Sequence, residues 1–276
     1  MNILIVFGMA AFGLFLLWIV QSITLVIARE PIAWPLRFET RRPLVKRASR
    51  VMIHLTWILI IFGTPIALGS SPLEWLRQEF TTPIPYGDIA LAMSIMLFPL
   101  WIMYGAWIAV GWVKVTPRHD KATRHRKLLR RFILPWPLAT LEEAVFRGTL
   151  LEQLLRSDVP FVLAIILSSA IFSAAHFFKR PNAGRVWQPA YGFFIVGCLF
   201  GLAYILGGRS LWLPIAVHGA GVVGVEVTRL YVDFRGPPWL LGYAESPQSG
   251  LFGSLLVLAV AIALVLLIPS GVGPAG

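Results

Sequence analysis

Apolar residues run through this chain in long blocks, separated by short charged stretches, and each block is of bilayer length. A membrane-crossing helix needs about 20 predominantly apolar residues. Runs of that kind occupy roughly residues 3–28, 51–69, 89–113, 133–155, 159–178, 191–207, 211–231 and 250–269. The pattern predicts an all-α fold, a polytopic transmembrane bundle of about eight spans. The stretch Ser70–Asp88 reads instead as an interfacial piece: Leu73, Trp75, Leu76 and Phe80 alternate with Glu74, Arg77 and Glu79, and Pro83 and Pro85 end any helix there. The first run lacks a preceding basic segment and exceeds the apolar core of a signal peptide, so it is expected to be a retained span.

Composition strengthens this picture. Hydrophobic residues make up 57% of the 276 and charged residues 13%, about half the share of a soluble domain. The net charge of +11 does not indicate nucleic acid, because the basic residues sit in the loops between apolar runs. Seven follow the first run (Arg29, Arg37, Arg41, Arg42, Lys46, Arg47, Arg50) and eight follow the third (Lys114, Arg118, Lys121, Arg124, Arg126, Lys127, Arg130, Arg131). Lys179, Arg180 and Arg185 follow the fifth, while the opposite side carries only Arg77, Arg156 and Arg209. Basic loops stay cytoplasmic, so both termini are expected outside. The loop Phe234–Ser249 carries little charge and constrains little. Cys198 is the sole cysteine, which leaves no internal disulfide and no cysteine metal cluster; it reads as a packing residue.

Small residues mark close helix approaches. Ser168, Ser169, Ala170, Ser173, Ala174 and Ala175 in the fifth run, Gly197 and Gly201 in the sixth, and Gly219, Gly221 and Gly224 in the seventh make those three helices the expected crowded centre.

The groups that lipid tolerates least lie in the fourth run, where Glu142, Glu143 and Arg147 follow one another inside an apolar segment. An ionised group at mid-span costs about 2.5–3.5 kcal/mol on insertion scales. Glu143 and Arg147 are four apart with the acid first, the favourable pairing on a helix. Glu142 is turned about 100° away, which leaves one carboxylate for something else. Glu152 and Arg156 repeat the spacing near the outer end and read as an interfacial ion pair. Two later runs each place a histidine in the membrane: His176, one turn after Phe172, and His218. His54, His119 and His125 receive no role. Glu226, two turns beyond His218, is assigned to Arg229 or to a substrate contact.

A carboxylate and a neutral imidazole can hold a water and take its proton, and a second imidazole can donate to the oxyanion that forms when water attacks an amide. One glutamate and two histidines can also ligate zinc, although the H-E-x-x-H spacing is absent. Buried Glu and His equally suit a proton relay.

Glu142-Glu143-x-x-x-Arg147, then Phe172-x-x-x-His176, then His218 in a later span, resemble the CAAX-processing and bacteriocin-processing intramembrane glutamic endopeptidases over roughly residues 130–230. The resemblance implies Glu142 as general base assisted by His176, His218 in the oxyanion hole, and Glu143, Arg147 and Phe172 as support. It implies no cofactor; zinc, were it used, would fall to Glu142, His176 and His218. Residues 1–131 are then the variable N-terminal spans and basic loops, 132–231 the catalytic helical core, and 232–276 the C-terminal span and tail. The family has an Asn four residues after the third-motif His, where this chain has Val222. The implied partners are the lipid bilayer and a membrane-associated peptide or protein substrate, with no nucleic acid; a short chain without a recognisable retention signal is separately expected in a bacterial inner membrane. A non-catalytic peptide-binding relative and a proton-coupled transporter are the competing readings; no matched halves of the kind common in transporters are present.

Overall fold

The computed structural model describes residues 2–29, 43–80, 83–117, 120–177, 187–244 and 246–268. Each of the apolar runs falls on a helix. In order these are α1 (Asn2–Ile27), α2 (Pro43–Ala67), α3 (Pro72–Glu79), α4 (Tyr86–Ala109), α5 (Lys121–Ile133), α6 (Pro135–Glu143), α7 (Glu152–Arg156), α8 (Phe161–Phe177), α9 (Trp187–Leu206), α10 (Trp212–Thr228), α11 (Pro238–Leu241) and α12 (Leu251–Leu267). Among the described residues, Tyr86–Ala109 and Gln188–Leu206 are each long and apolar enough to cross a membrane alone, and Ala11–Ile27, Phe161–His176, Trp212–Thr228 and Leu251–Leu267 are shorter apolar helices. Wide apolar exposure follows from lipid being the solvent: Ile102 is 72% exposed and Leu266 75%. The chain is an integral membrane protein with an all-helical core.

Sequence periodicity did not indicate three features. The fourth run is not one α-helix: between α6 and α7 the segment Ala144–Leu151 is π-helical. Its wider turn shows where Thr149 Oγ1 donates to the carbonyl of Ala144, five residues back, at 3.0 Å. The basic loop before it contains the amphipathic helix α5, capped by Asp120 Oδ1, which accepts from the Thr123 N–H at 2.9 Å. The quiet loop after α10 holds β2 (Val232–Phe234), which pairs antiparallel with β1 (Val113–Val115), Val113 opposite Phe234.

That small sheet ties the loop after α4 to the loop after α10. Gln188 Nε2 donates to the carbonyl of Pro238 at 2.7 Å, which brings the start of α9 to the same side. At the other end, the Leu211 N–H donates to the carbonyl of Glu79 at 2.8 Å, and Arg156 Nη2 to Gln78 Oε1 at 3.0 Å. The basic loop after the third run and the weakly charged loop after the seventh thus share one face, and Arg77, Arg156 and Arg209 belong to the other.

α8 and α9 pack closely, as the small residues predicted: a Cβ at Gly197 would lie 3.0 Å from Ser169 Cβ, and one at Gly201 3.1 Å from Ile165. The glycines of α10 differ from the expectation. Gly219 receives the Trp136 ring of α6, while Gly221 and Gly224 receive Met96 and Leu100 of α4. α10 is therefore wedged against α4 and α6, and the crowded centre extends beyond the fifth to seventh runs.

Candidate active site

Three helices bring the candidate residues together. Glu142 and Glu143 end α6 just before the π-helical turn, His176 ends α8, and His218 sits mid-way along α10. Glu143 and Arg147 are fully buried, and Arg147 Nη1 lies 3.2 Å from Oε1 and 3.1 Å from Oε2 of Glu143. The guanidinium also donates through Nη2 to the carbonyl of Gly197 at 2.8 Å. It lies 4.8 Å over the ring of Phe172 and 5.3 Å over that of Phe200. An ion pair removed from water recovers its desolvation cost only with good geometry and further hydrogen bonds, and the Gly197 carbonyl supplies one of these. The absent side chain at Gly197 lets the α9 backbone approach Ser169 of α8.

Glu142 points elsewhere, as its turn around the helix requires. Its Oε2 lies 3.5 Å from His176 Nε2 and 3.9 Å from His218 Nε2. Its side chain is 19% exposed against 0% for Glu143, so water reaches one of these neighbouring acids and not the other. Among the described residues, no three His, Cys, Asp or Glu side chains are gathered as a metal-holding set.

The second nitrogen of each histidine sets its tautomer. His176 Nδ1 is 2.9 Å from the carbonyl oxygen of Phe172. A carbonyl only accepts, so Nδ1 carries the proton and a neutral ring presents a bare Nε2 to Glu142. His218 Nδ1 is 2.6 Å from Oε1 of Glu143, which again places a proton on Nδ1. The rings are held from the side as well: His176 stacks on Phe193 at 4.4 Å and His218 on Phe200 at 4.4 Å. Phe172 is central to the cluster, with its carbonyl on His176, its ring under Arg147 and its edge against Phe146 at 5.0 Å.

Sequence reasoning missed Phe193 and Phe200 and gave Gly197 a packing role only. They share a face of α9 at the i, i+4, i+7 spacing, but nothing polar marks them in an apolar run. Val222 is half-buried on α10, four residues after His218. Glu226 pairs with Arg229 at 2.5 Å, as expected, and also with Arg131 of α5 at 3.4 Å. Cys198 is a half-buried free thiol. His54 is half-buried on α2, His125 is exposed on α5, and His119 lies outside the described residues.

The reading of Glu152 and Arg156 as an interfacial pair needs correction. Arg156 Nε is 2.7 Å from Glu152 Oε1, but Glu152 is buried and also takes hydrogen bonds from Tyr204 and Arg209. Glu79, expected on an interfacial surface, is buried in the same cluster and accepts or donates at Tyr204 Oη across 3.0 Å. The partners come from α3, α7 and α9 and the turn after α9, distances in sequence that no helical spacing reveals.

Residues 126–223 match the family model described as Type II CAAX prenyl endopeptidase Rce1-like. The matched stretch runs from within α5 to the middle of α10 and contains Glu142, Glu143, Arg147, Phe172, His176, His218 and Val222. Neither a curated protein nor a solved structure matches the chain.

Proposed function

We propose, from the match of residues 126–223 to a CAAX-endopeptidase family model, that this protein is an intramembrane endopeptidase that cleaves a membrane-associated peptide or protein by water activated at Glu142. The observation that carries the reading is the convergence of two histidine Nε2 atoms on one water-accessible carboxylate oxygen, with both Nδ1 positions already engaged. A water there can donate one hydrogen to Glu142 and the other to His176 Nε2. Glu142 takes the proton as the water oxygen attacks the amide carbon, and gives it to the leaving amine when the C–N bond breaks, so the base is regenerated. The oxyanion formed between these steps needs a donor. His218 is the side chain placed for that role, its ring oriented by Glu143 at Nδ1. The surrounding apolar helices keep bulk water out, which strengthens each of these interactions. A bacterial inner membrane is the proposed location.

Val222 supports a second reading, a relative that binds membrane peptides without cutting them, because a valine cannot supply the hydrogen bond that the family Asn gives. One experiment separates the two. Purified protein in lipid is incubated with candidate membrane peptides, alongside the Glu142→Gln variant. The peptidase reading expects cleavage by the parent and a fall of about 10²–10⁴-fold in the variant, the usual share of a general base, at equal protein yield. Binding of the peptides without cleavage by the parent establishes the second reading, and cleavage at the parent rate by the variant removes Glu142 from the mechanism.

A further inference from the structure

On the face opposite the basic loops, the hydrolytic site leaves a second set of buried charged groups unused. Tyr204 of α9 is fully buried, and its Oη lies 3.0 Å from Oε2 of Glu79 and 3.0 Å from Oε2 of Glu152. A phenol has one proton to donate. Two ionised carboxylates cannot both receive it, so one of the glutamates brings a proton of its own.

The surroundings identify which. Glu152 accepts from Arg156 Nε at 2.7 Å and from Arg209 Nε at 2.8 Å, and Arg209 Nη2 reaches its other oxygen. Two guanidinium groups supply its countercharge and occupy both of its oxygens. Glu79 is the last residue of α3, where the carbonyl end of a helix disfavours an anion. Its carboxyl is packed against the π-helical turn: a Cβ at Gly148 would lie 3.0 Å from Glu79 Oε2 and 2.9 Å from the Trp75 ring. Trp75 Nε1 donates to the carbonyl of Gly148 at 3.1 Å, so α3 is fastened to that turn one residue beyond Arg147.

We infer that Glu79 stands protonated at neutral pH, donating to Tyr204 Oη while Tyr204 donates to Glu152, and that this proton chain braces α3 against the π-helical turn that carries Arg147. The protonation stands on the cluster alone; its effect on cleavage rests on the peptidase reading above. Glu79 is a positioning residue in this account and touches no substrate. The groups facing it are Glu152 and Arg156 from α7, Tyr204 from α9 and Arg209 from the turn that follows. Burial and the Glu152 charge push the Glu79 carboxyl up to about 8, against the opposing pull of Tyr204, Arg156 and Arg209. Below the ordinary carboxyl value of 4.5 the folded and unfolded chains are both protonated there. Between 4.5 and about 8 only the folded chain keeps the proton, so stability declines as pH rises across that window and levels off above it.

Infrared difference spectroscopy of the full chain in nanodiscs reads the proton directly. At neutral pH the parent minus Glu79→Gln spectrum is expected to show a carboxylic-acid carbonyl band, and Tyr204→Phe is expected to shift it. Heat stability of the parent is expected to fall from pH 5 to 8, and that of Glu79→Gln, which keeps a hydrogen-bond donor without a titrating group, to stay level by comparison. In cleavage assays, the parent is expected to lose rate on the alkaline side of this window and Glu79→Gln to lack that loss. Glu79→Ala is expected to be impaired at every pH. A difference spectrum without the acid band overturns the protonation, whatever the enzyme activity. An unchanged alkaline limb in an active Glu79→Gln protein overturns the link from this brace to the site.

Discussion

His218 Nδ1 sits 2.6 Å from Oε1 of Glu143, so the acid that neutralises Arg147 also orients the imidazole facing Glu142. The two adjacent glutamates therefore have unlike work despite identical chemistry. Glu143 is fully buried, with a guanidinium and an imidazole as partners. Glu143→Gln leaves Arg147 in a dry site with no anion, a kind of break that costs about 3–5 kcal/mol when one partner of a buried pair is removed. Both thermal stability in lipid and cleavage are expected to fall, whereas Glu142→Gln lowers cleavage alone. Thermal unfolding measured beside cleavage for the two variants checks this; equal stability of Glu143→Gln and the parent would count against the structural role.

Metal independence is the second expectation. One carboxylate and one imidazole suffice to activate water, and no zinc-protease spacing occurs in the chain. Cleavage is expected to persist after dialysis against a strong chelator. Complete loss, restored by added zinc, would instead make Glu142, His176 and His218 the ligands, with Phe172 O and Glu143 already holding the far nitrogens and so fixing the ring orientations.

Orientation gives a prediction independent of any activity. The β1–β2 sheet puts the loops after α4 and α10 on one face, and that face carries most of the loop cations. Reporter fusions at Thr116 are expected to read cytoplasm and those at Asp158 to read outside. The same location from both sites would break the span assignment between them.

Much of this site was legible in the sequence because helical period turns spacing into direction. Glu143 and Arg147 at i, i+4, Phe172 and His176 at i, i+4, and the offset of Glu142 each indicated a face that the structure bears out. What escaped was of two kinds. The π-helical turn Ala144–Leu151 leaves no periodic mark, since one wider turn shifts every later residue without changing composition. Contacts between distant segments, such as Glu79 with Tyr204 or His218 with Phe200, depend on how helices pack, and an apolar run has too many equivalent faces to choose among. For the same reason the spacing places Glu79 in an interfacial piece and Glu152 in an interfacial pair with Arg156, whereas both acids are buried together.

The last prediction concerns Val222. It lies four residues after His218 on α10 and is half-buried, so the two side chains lie on neighbouring parts of one face. With no amide at this position, His218 is the proposed side-chain donor to the oxyanion. Loss of one such donor costs about 10²–10³-fold in rate in a well-characterised protease. His218→Ala is therefore expected to lower cleavage by at least that range, and further because Glu143 loses a hydrogen-bond partner. Val222→Asn adds a donor of similar size and is expected to raise cleavage, since at a half-buried position the unused half of the amide can still find water. The double variant separates the two effects: if the asparagine acts on the same oxyanion, it restores part of what His218→Ala removes. Rates for all three are measured against one cleaved membrane peptide. A His218→Ala protein that cleaves as fast as its parent would show that α10 contributes no oxyanion donor and that His218 serves only to pack against Phe200 and Glu143.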